Sequence, residues 1–393
     1  MKIGAVSKIV WIFIIVFNIA FTFTGENYKE PDSIQKFFPT VTPIIKTPAT
    51  LKNRDEFTTQ KEMLDFLGAI HTTNVHTVVD LLGPTVKGNY LPIVVFSKEK
   101  ELDLKGSKND KPTALLIAQQ HGDEPMGCDV LLGIVKRVAH GDLNYLLEKI
   151  NIVVIPRVNP DGATKFTRVS SRKIDINDDH VDLQSVEANI VRDIYEKFQP
   201  EVFIDIHEYI ADKKSYSGIL EDEALPYYDV LGLNTTNTNY PQDLKLYSKE
   251  VLGKISHSLK EKNLTFDYYY NPFIKPINGN PLILYRGTSS TRTARNFYGL
   301  KGSLSYLIEL RGRGIGFENI NRRLNSGLIG VESVLKDFYE NSEKVKRIVK
   351  SSRESLKNFK NEKNLVKEEK RTYPLLNIKK GTLEEVPIIY VIN

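Results

Sequence analysis

The sequence has a single cysteine, Cys128, in 393 residues. One thiol cannot form an intramolecular disulfide, so the apolar core must hold the fold. Hydrophobic residues make up 41% of the chain, which is enough for one large α/β domain or for two or three smaller domains. Cys128 lies in a predicted helix, where a small buried side chain is favoured over a catalytic thiol.

The sequence also lacks a basic region of the kind that binds nucleic acid. The net charge is +5, but Lys2, Lys8 and a basic excess over residues 341–371 account for more than all of it. The part between them is therefore mildly acidic, and no nucleic-acid partner is predicted. The Lys/Glu-rich composition of residues 341–393 predicts a charged C-terminal helix followed by a tail.

The apolar run at residues 9–23 is too short for an ordinary bilayer span, which needs about 20 residues, but it suits the core of a secretory signal. Lys2 and Lys8 supply the positive charge that precedes such a core. Residues 1–24 are therefore predicted to be a signal peptide. An uncleaved membrane anchor is the alternative, because no Ala-x-Ala cleavage site follows. Either way the protein is expected to be exported, to the periplasm or outside the cell.

Residues 25–84 are polar and interrupted by proline, which predicts a linker that wraps onto a catalytic body at 85–340. In that body short apolar runs alternate with segments of helical periodicity, the pattern of an α/β fold. The predicted strands are 91–96, 114–118, 150–158, 202–206 and 304–311, and the predicted helices include 126–138, 186–198 and a long helix from 326 to about 359.

The apolar run 114–118 ends directly in a polar turn that contains His121 and Glu124. In open α/β sheets, ligands bind beyond the carboxyl ends of the strands. Imidazole nitrogen and carboxylate oxygen are good zinc ligands, and a catalytic zinc keeps one position for water. The two residues are therefore candidate metal ligands, although a His-x-x-Glu pair alone is common by chance.

A second apolar strand, 202–206, leads directly into His207. Two strands that each deliver a histidine at the carboxyl end meet the requirement for a zinc site built on a sheet. Asp205, two residues earlier on the same strand face, is a candidate to accept a hydrogen bond from an imidazole and orient it.

Glu309 lies inside a third apolar run, 304–311. A carboxylate there must be paired, bound to metal or raised in its pKa. This environment is typical of a general base that activates water at zinc. The alternative is a structural ion pair with Arg311 on the same strand face.

Four segments, in order, resemble the zinc metallocarboxypeptidases of the carboxypeptidase A type, and with the N-terminal signal they suggest an exported bacterial branch. They are the turn 121–124, the Asn-Pro-Asp-Gly turn at 159–162, His207 at a strand end, and the segment 309–317. The resemblance spans roughly residues 85–340. It implies an α/β fold with a mixed, largely parallel eight-stranded sheet and helices on both faces.

The resemblance also implies site residues and a peptide as substrate. One zinc ion is expected on the set His121, Glu124 and His207, with Glu309 as general base and acid. An arginine that polarises the scissile carbonyl is expected at Arg172, with Arg168 as the alternative. Tyr285 lies at about the distance before Glu309 at which the family has a substrate-binding tyrosine.

One residue departs from the family pattern. In the family, an arginine follows the asparagine that corresponds to Asn177, and the two bind the terminal carboxylate of the substrate. Here Asp178 follows instead. A carboxylate cannot accept another carboxylate without a proton or a cation between them. Either Arg292 or Arg295 supplies the positive charge, or the substrate carries a cationic group there, as a diamino acid or a basic residue does.

The expected function is that of an exported zinc carboxypeptidase that hydrolyses a peptide amide bond, with cell-wall peptides among its candidate substrates. Two alternatives remain. A deacylase of N-acyl amino acids would use the same ligands, but the export signal disfavours it. A non-catalytic binding protein that retains the fold has its main support in Asp178.

Overall fold

The computed structural model describes residues 30–51, 56–98, 110–212, 219–220, 223–270, 282–356 and 367–392. The strands are β1 (Thr77–Leu82), β2 (Leu91–Phe96), β3 (Thr113–Ala118), β4 (Asn151–Ile155), β5 (Val202–Ile210), β6 (Ala224–Pro226), β7 (Val230–Asn234), β8 (Phe266–Tyr268), β9 (Leu282–Tyr285), β10 (Leu304–Arg313), β11 (Lys367–Asn377) and β12 (Thr382–Ile392).

The main sheet has eight strands in the order β1-β2-β4-β3-β5-β10-β7-β8. Its four central strands, β4, β3, β5 and β10, run parallel to one another. The pairings of β2 with β1 and β4, and of β7 with β10, are antiparallel. The expected mixed eight-stranded sheet is therefore confirmed.

The helices are α1 (Asp32–Gln35), α2 (Pro48–Leu51), α3 (Gln60–Thr73), α4 (Met126–His140), α5 (Pro160–Lys165), α6 (Val186–Phe198), α7 (Gln242–Lys260), α8 (Ala294–Leu300), α9 (Ile320–Glu340) and α10 (Ser342–Leu356). They cover both faces of the sheet. Successive residues of a strand point to opposite sides, so each central strand packs against helices on both faces. In β3, Leu116 packs in the core formed with α4, α7 and α9, whereas Leu115 packs in the core formed with α6 and α8.

The long helix predicted from residue 326 is two helices, α9 and α10, which meet at Asn341. The side chain of Asn341 donates to the carbonyl oxygen of Asp337 at 3.1 Å. A side-chain amide that competes in this way for backbone partners favours a helix end. Among the helices in the described ranges, none is both long and apolar enough to cross a membrane.

A second sheet has the order β6-β11-β12-β9 and was not predicted. Strands β11 and β12 form a long antiparallel hairpin, which pairs with β6 on one side and with β9 on the other. Tyr373 of β11 and Ile388 of β12 pack in one apolar cluster with Tyr209 and Tyr270. The C-terminal region predicted as a charged tail is therefore structured from residue 367, because it contributes buried apolar side chains to this cluster.

The segment predicted as an N-terminal linker also contributes to the body. Strand β1 is part of the main sheet, and Met63 and Leu67 of α3 are fully buried in its core. Further back, Glu30 forms a buried ion pair with Arg311 of β10. The body therefore begins well before residue 85. Residues 1–24, predicted to be a signal peptide or anchor, lie outside the described residues.

Candidate metal centre and substrate cavity

The three predicted metal ligands meet at the carboxyl ends of β3 and β5. His121 follows β3, Glu124 precedes α4, and His207 lies within β5. One oxygen of Glu124 lies 2.8 Å from Nδ1 of His121, and the other lies 2.8 Å from Nδ1 of His207. All three side chains are buried. The structure thus brings together two imidazoles and one carboxylate, a donor set that can hold a metal ion.

The turn that carries His121 is held by contact with the Asn-Pro-Asp-Gly turn. A Cβ on Gly122 would lie 2.1 Å from the carbonyl carbon of Gly162, so only glycine fits between the two turns. The side chain of Asn159 accepts from the Gly162 amide at 2.8 Å and donates to the Gln120 carbonyl at 3.2 Å. Two motifs that are separate in the sequence therefore form one contact.

Each histidine offers Nδ1 to the centre because a carboxylate engages its other nitrogen. Nε2 of His121 lies 3.0 Å from Asp175, and Nε2 of His207 lies 3.0 Å from Asp205. A carboxylate only accepts, so these partners assign the ring proton to Nε2. Asp205 occupies the place that the sequence predicted, whereas Asp175 was not identified, because its side chain reaches the site from a loop.

The donor atoms fit a cation on electrostatic grounds. The two Nδ1 atoms of His121 and His207 lie 3.1 Å apart, and with the protons on Nε2 both present lone pairs. Lone pairs at that distance repel unless a cation or a proton lies between them. Burial raises the pKa of Glu124, but positive charge on the two histidines lowers it well below its ordinary value, so a positive charge at this centre keeps the carboxylate ionised.

Glu309 faces the same centre from the neighbouring strand. It pairs in register with His207 across β10 and β5, and it lines a cavity of about 580 Å³ whose wall also includes His121 and Glu124. Desolvation raises the pKa of Glu309 to about 7. Such a carboxyl group can both take and release a proton near neutral pH. The alternative partner, Arg311, is paired with Glu30.

Arg168 reaches the metal ligands from the loop after α5. Its Nη1 lies 3.1 Å from Nδ1 of His121 and 3.4 Å from Glu124, and its Nε donates to Asp175 at 2.9 Å. The side chain lines the cavity. The guanidinium is thus held by a carboxylate with one end directed at the centre, where it can stabilise negative charge on a substrate oxygen.

Arg172 lies elsewhere. Residues 170–174 form a tight turn, in which the amide of Ser170 donates to the carbonyl of Ile174 at 2.9 Å. Arg172 lies in this turn, is exposed, and is not among the residues that line the cavity. The prediction that Arg172 polarises the scissile carbonyl is therefore wrong on this geometry, and the alternative, Arg168, occupies the cavity.

Asn177 and Asp178 both line the cavity, as the sequence led us to expect of substrate-binding residues. Oδ1 of Asn177 accepts from the backbone amide of Ala294 at 3.1 Å. Nδ2 of the same side chain is a hydrogen-bond donor for which the described residues provide no acceptor. Asp178 is exposed to the cavity. The wall of the cavity thus presents a neutral donor next to an acidic acceptor.

Of the two arginines considered as carboxylate partners, Arg295 lines the cavity and Arg292 does not. Arg295 is 3% exposed and donates to the carbonyl oxygens of Asn234 and Thr288 at 2.7 and 3.0 Å. Desolvation lowers the pKa of Arg295 to about 10, so it remains cationic at neutral pH. Arg292 instead forms an ion pair with Asp182.

The predicted substrate-binding tyrosine, Tyr285, is misplaced. It lies on β9 of the second sheet, is 39% exposed, and does not line the cavity. Tyr269 and Tyr270 line the cavity instead. The run of three tyrosines that contains them was the available signal in the sequence. Counting back from Glu309 selected the wrong residue because the pairing of β9 with β12 was not foreseen.

Comparisons with known proteins agree with this geometry. A family model described as zinc carboxypeptidase matches residues 63–318, well over half of the chain. Carboxypeptidase 2 of Trichophyton equinum is 27% identical over 308 residues, which cover 77% of this chain and 56% of that protein. Carboxypeptidase 2 of Trichophyton rubrum is 27% identical over 274 residues, which cover 68% of this chain and 50% of that protein. The chain thus spans about half the length of the curated relatives it matches.

Solved structures share the fold. A metallo-carboxypeptidase from Burkholderia cenocepacia superposes with a TM-score of 0.52 at 20% identity, covering 71% of this chain and 69% of that chain. Bovine thrombin-activatable fibrinolysis inhibitor gives a TM-score of 0.53 at 12% identity, covering 73% and 99%. At these identities the likeness concerns the fold alone. The family match over residues 63–318 shows more: this chain belongs to the zinc carboxypeptidase family.

Proposed function

We propose that this protein is an exported zinc carboxypeptidase that releases the C-terminal residue of a peptide. The observation that carries the proposal is that His121, Glu124, Glu309 and Arg168 line one cavity, and that the third ligand, His207, lies directly against His121 and Glu124. The ligands, the base and a fixed cation are the parts that metal-assisted amide hydrolysis needs.

The metal of this family is zinc, and His121, Glu124 and His207 would hold it through two Nδ1 atoms and a carboxylate. Zinc bound there supplies a Lewis acid that polarises a carbonyl group and lowers the pKa of water. Asp175 and Asp205 keep both imidazoles turned so that Nδ1 faces the centre.

The protein's own groups carry the proton and the developing charge. Glu309 accepts the proton of the attacking water on a carboxylate oxygen and passes it to the nitrogen of the leaving amine. Arg168 donates to the carbonyl oxygen as negative charge develops on it. Because Asp175 holds Arg168 at 2.9 Å, little reorganisation accompanies the reaction.

The terminal carboxylate of the peptide is bound, in this proposal, by the amide of Asn177 and by Arg295. Both line the cavity, and the buried guanidinium of Arg295 offers charge-assisted hydrogen bonds. Binding of the chain end by these two groups would make the enzyme an exopeptidase.

Export is supported by the composition of residues 1–24, with Lys2 and Lys8 around the start of an apolar run. An exported peptidase meets peptides outside the cytoplasm, and we therefore include cell-wall stem peptides among its substrates. In a bacterial host, we expect the full chain in the membrane or periplasmic fraction and a version that starts at residue 25 in the cytoplasm. Recovery of both from the cytoplasm would reject export.

Replacing the general base tests the chemistry. We expect Glu309→Gln to keep one zinc per chain but to lower kcat by about 100- to 10,000-fold, because the amide cannot take a proton. Metal analysis and product analysis on peptides, stem peptides and N-acyl amino acids measure both effects. Glu196→Gln, at an exposed ion pair with Lys301, is the matched control. Near-normal turnover of Glu309→Gln would reject this role, and cleavage of N-acyl amino acids alone would favour a deacylase.

The two arginines give a paired test of the oxyanion partner. Arg168→Met is expected to lower kcat/KM by about 100- to 1000-fold, since a donor to the developing negative charge is lost. Arg172→Met, the matched change at an exposed position outside the cavity, should stay within about twofold of the wild type. Steady-state kinetics on one peptide decide between them, and the opposite ranking would restore Arg172 as the catalytic arginine.

The orienting carboxylates are tested through metal affinity. Asp205→Asn is expected to weaken zinc binding by about 10- to 100-fold, because a neutral amide accepts more weakly from Nε2 of His207 than a carboxylate does and makes the imidazole a poorer ligand. Competition with a chelating dye measures the affinity without any turnover. Asp193→Asn, at an exposed position on α6, serves as the control. An unchanged zinc affinity in Asp205→Asn would show that this hydrogen bond does not orient the ligand.

A further inference from the structure

Asp178 is an acidic group of the cavity that the mechanism above does not use. Five carboxyl side chains and three arginines line the cavity. Each arginine is already engaged. Arg168 is paired with Asp175 and Arg313 with Asp123, while the third donates to backbone carbonyl oxygens. No arginine of the cavity is therefore left to neutralise Asp178.

The other four carboxyl groups have assigned partners or roles. Two contact the ligand histidines, Glu208 pairs with Arg323, and Glu309 is the buried base. Asp178 forms neither a hydrogen bond nor an ion pair through its side chain with any part of the chain that the structure describes. Among the carboxyl groups of the cavity, Asp178 is therefore the one that has neither a catalytic role nor a side-chain partner in the described part of the chain.

The position of Asp178 is fixed by its backbone. Residues 176–178 form a short 3-10 turn whose Ile176 is fully buried. The carboxylate of Asp175 accepts from the amide of Asn177 at 3.1 Å, and the Asp175 carbonyl accepts from the amide of Asp178 at 3.2 Å. The turn therefore presents the Asn177 amide and the Asp178 carboxylate side by side, a donor for an anion and an acceptor for a cation.

Asp175 places a second carboxylate near Asp178. Burial, followed by the charge of Asp175, raises the pKa of Asp178, and the charges of Arg168 and Arg292 offset this only in part. A second anion placed here would be repelled, whereas a cation would be attracted.

We propose that Asp178 forms a cation-binding subsite, and that the substrate residue bound there carries an ammonium or guanidinium group. Peptides that end in lysine, ornithine, arginine or another diamino acid have this chemistry. The inference rests on the proposed carboxypeptidase function and adds the substrate class. The neighbouring Asn177 amide would bind the carboxylate of the same residue, so that the pair recognises both charges of the released amino acid.

The test compares peptides that differ only in the last residue, which is lysine, norleucine or glutamate. Norleucine matches the length of lysine without the charge. With the zinc-loaded full chain, kcat/KM for lysine should exceed that for norleucine by at least about tenfold, the usual worth of a hydrogen bond to a charged group, and glutamate should be the poorest. A fourth peptide ends in a diamino acid that carries a second carboxylate. It tests whether the site recognises both charges or only the positive one.

Two substitutions assign the preference to this residue. Asp178→Asn should lower the lysine-to-norleucine ratio of kcat/KM about tenfold, chiefly through KM. Asp178→Arg should give a higher kcat/KM for the glutamate peptide than for the lysine peptide. The matched control is Asp193→Asn, which makes the same change in charge at an exposed position of α6 outside the cavity. It should leave the ratio unchanged.

A ratio near one in the wild type, or a ratio that Asp178→Asn and Asp193→Asn change equally, would overturn the subsite. Failure of the proposed function would differ, since none of the peptides would be cleaved although zinc is bound. The subsite is then decided by calorimetry with the uncleaved peptides. Tighter binding of the lysine peptide to the wild type than to Asp178→Asn supports it, and equal dissociation constants reject it.

Discussion

Two hydrogen bonds from buried imidazoles to carboxylates, His121 to Asp175 and His207 to Asp205, determine what this site can do. They fix which ring nitrogen faces the centre, because a carboxylate can only accept. If either ring turned over, Cδ2 would take the place of Nδ1 and the centre would lose a donor. The metal chemistry of the protein therefore depends on groups that would not themselves touch the metal.

The orientation of Asp205 depends in turn on a buried polar chain. Gln120 donates from Nε2 to Asp205 at 2.8 Å and accepts at Oε1 from Nε2 of His180, which lies 2.7 Å away. Nδ1 of His180 lies 3.0 Å from the hydroxyl of Tyr298. Burial lowers the pKa of His180 to about 4, so the ring is neutral and can donate at Nε2 while it accepts at Nδ1. Each hydrogen bond from Tyr298 through His180 and Gln120 to Asp205 therefore has a defined donor and a defined acceptor.

The sequence revealed those parts of the site that depend on a strand and its end. His121, His207 and Glu309 each terminate or interrupt an apolar run, and the carboxyl ends of neighbouring parallel strands must meet. Arg172 and Tyr285 were misassigned because their placement depends on a tight turn and on strand pairing across the chain. A tight turn or a pairing between distant strands produces no local pattern of residue spacing, whereas a buried strand produces a continuous apolar run.

The second sheet shows why the ends of the chain were the hardest part to predict. Ring centroids of Tyr270, which lines the cavity, and Tyr373 of β11 lie 4.6 Å apart at 71°, an edge-to-face contact. Strand β9, which follows the same wall in sequence, pairs with β12. The wall that carries Tyr269 and Tyr270 is thus supported by residues about a hundred positions later in the chain. The charged composition of that hairpin led to its prediction as a tail. It is part of the catalytic body, because its apolar side chains cover one side of the cavity wall.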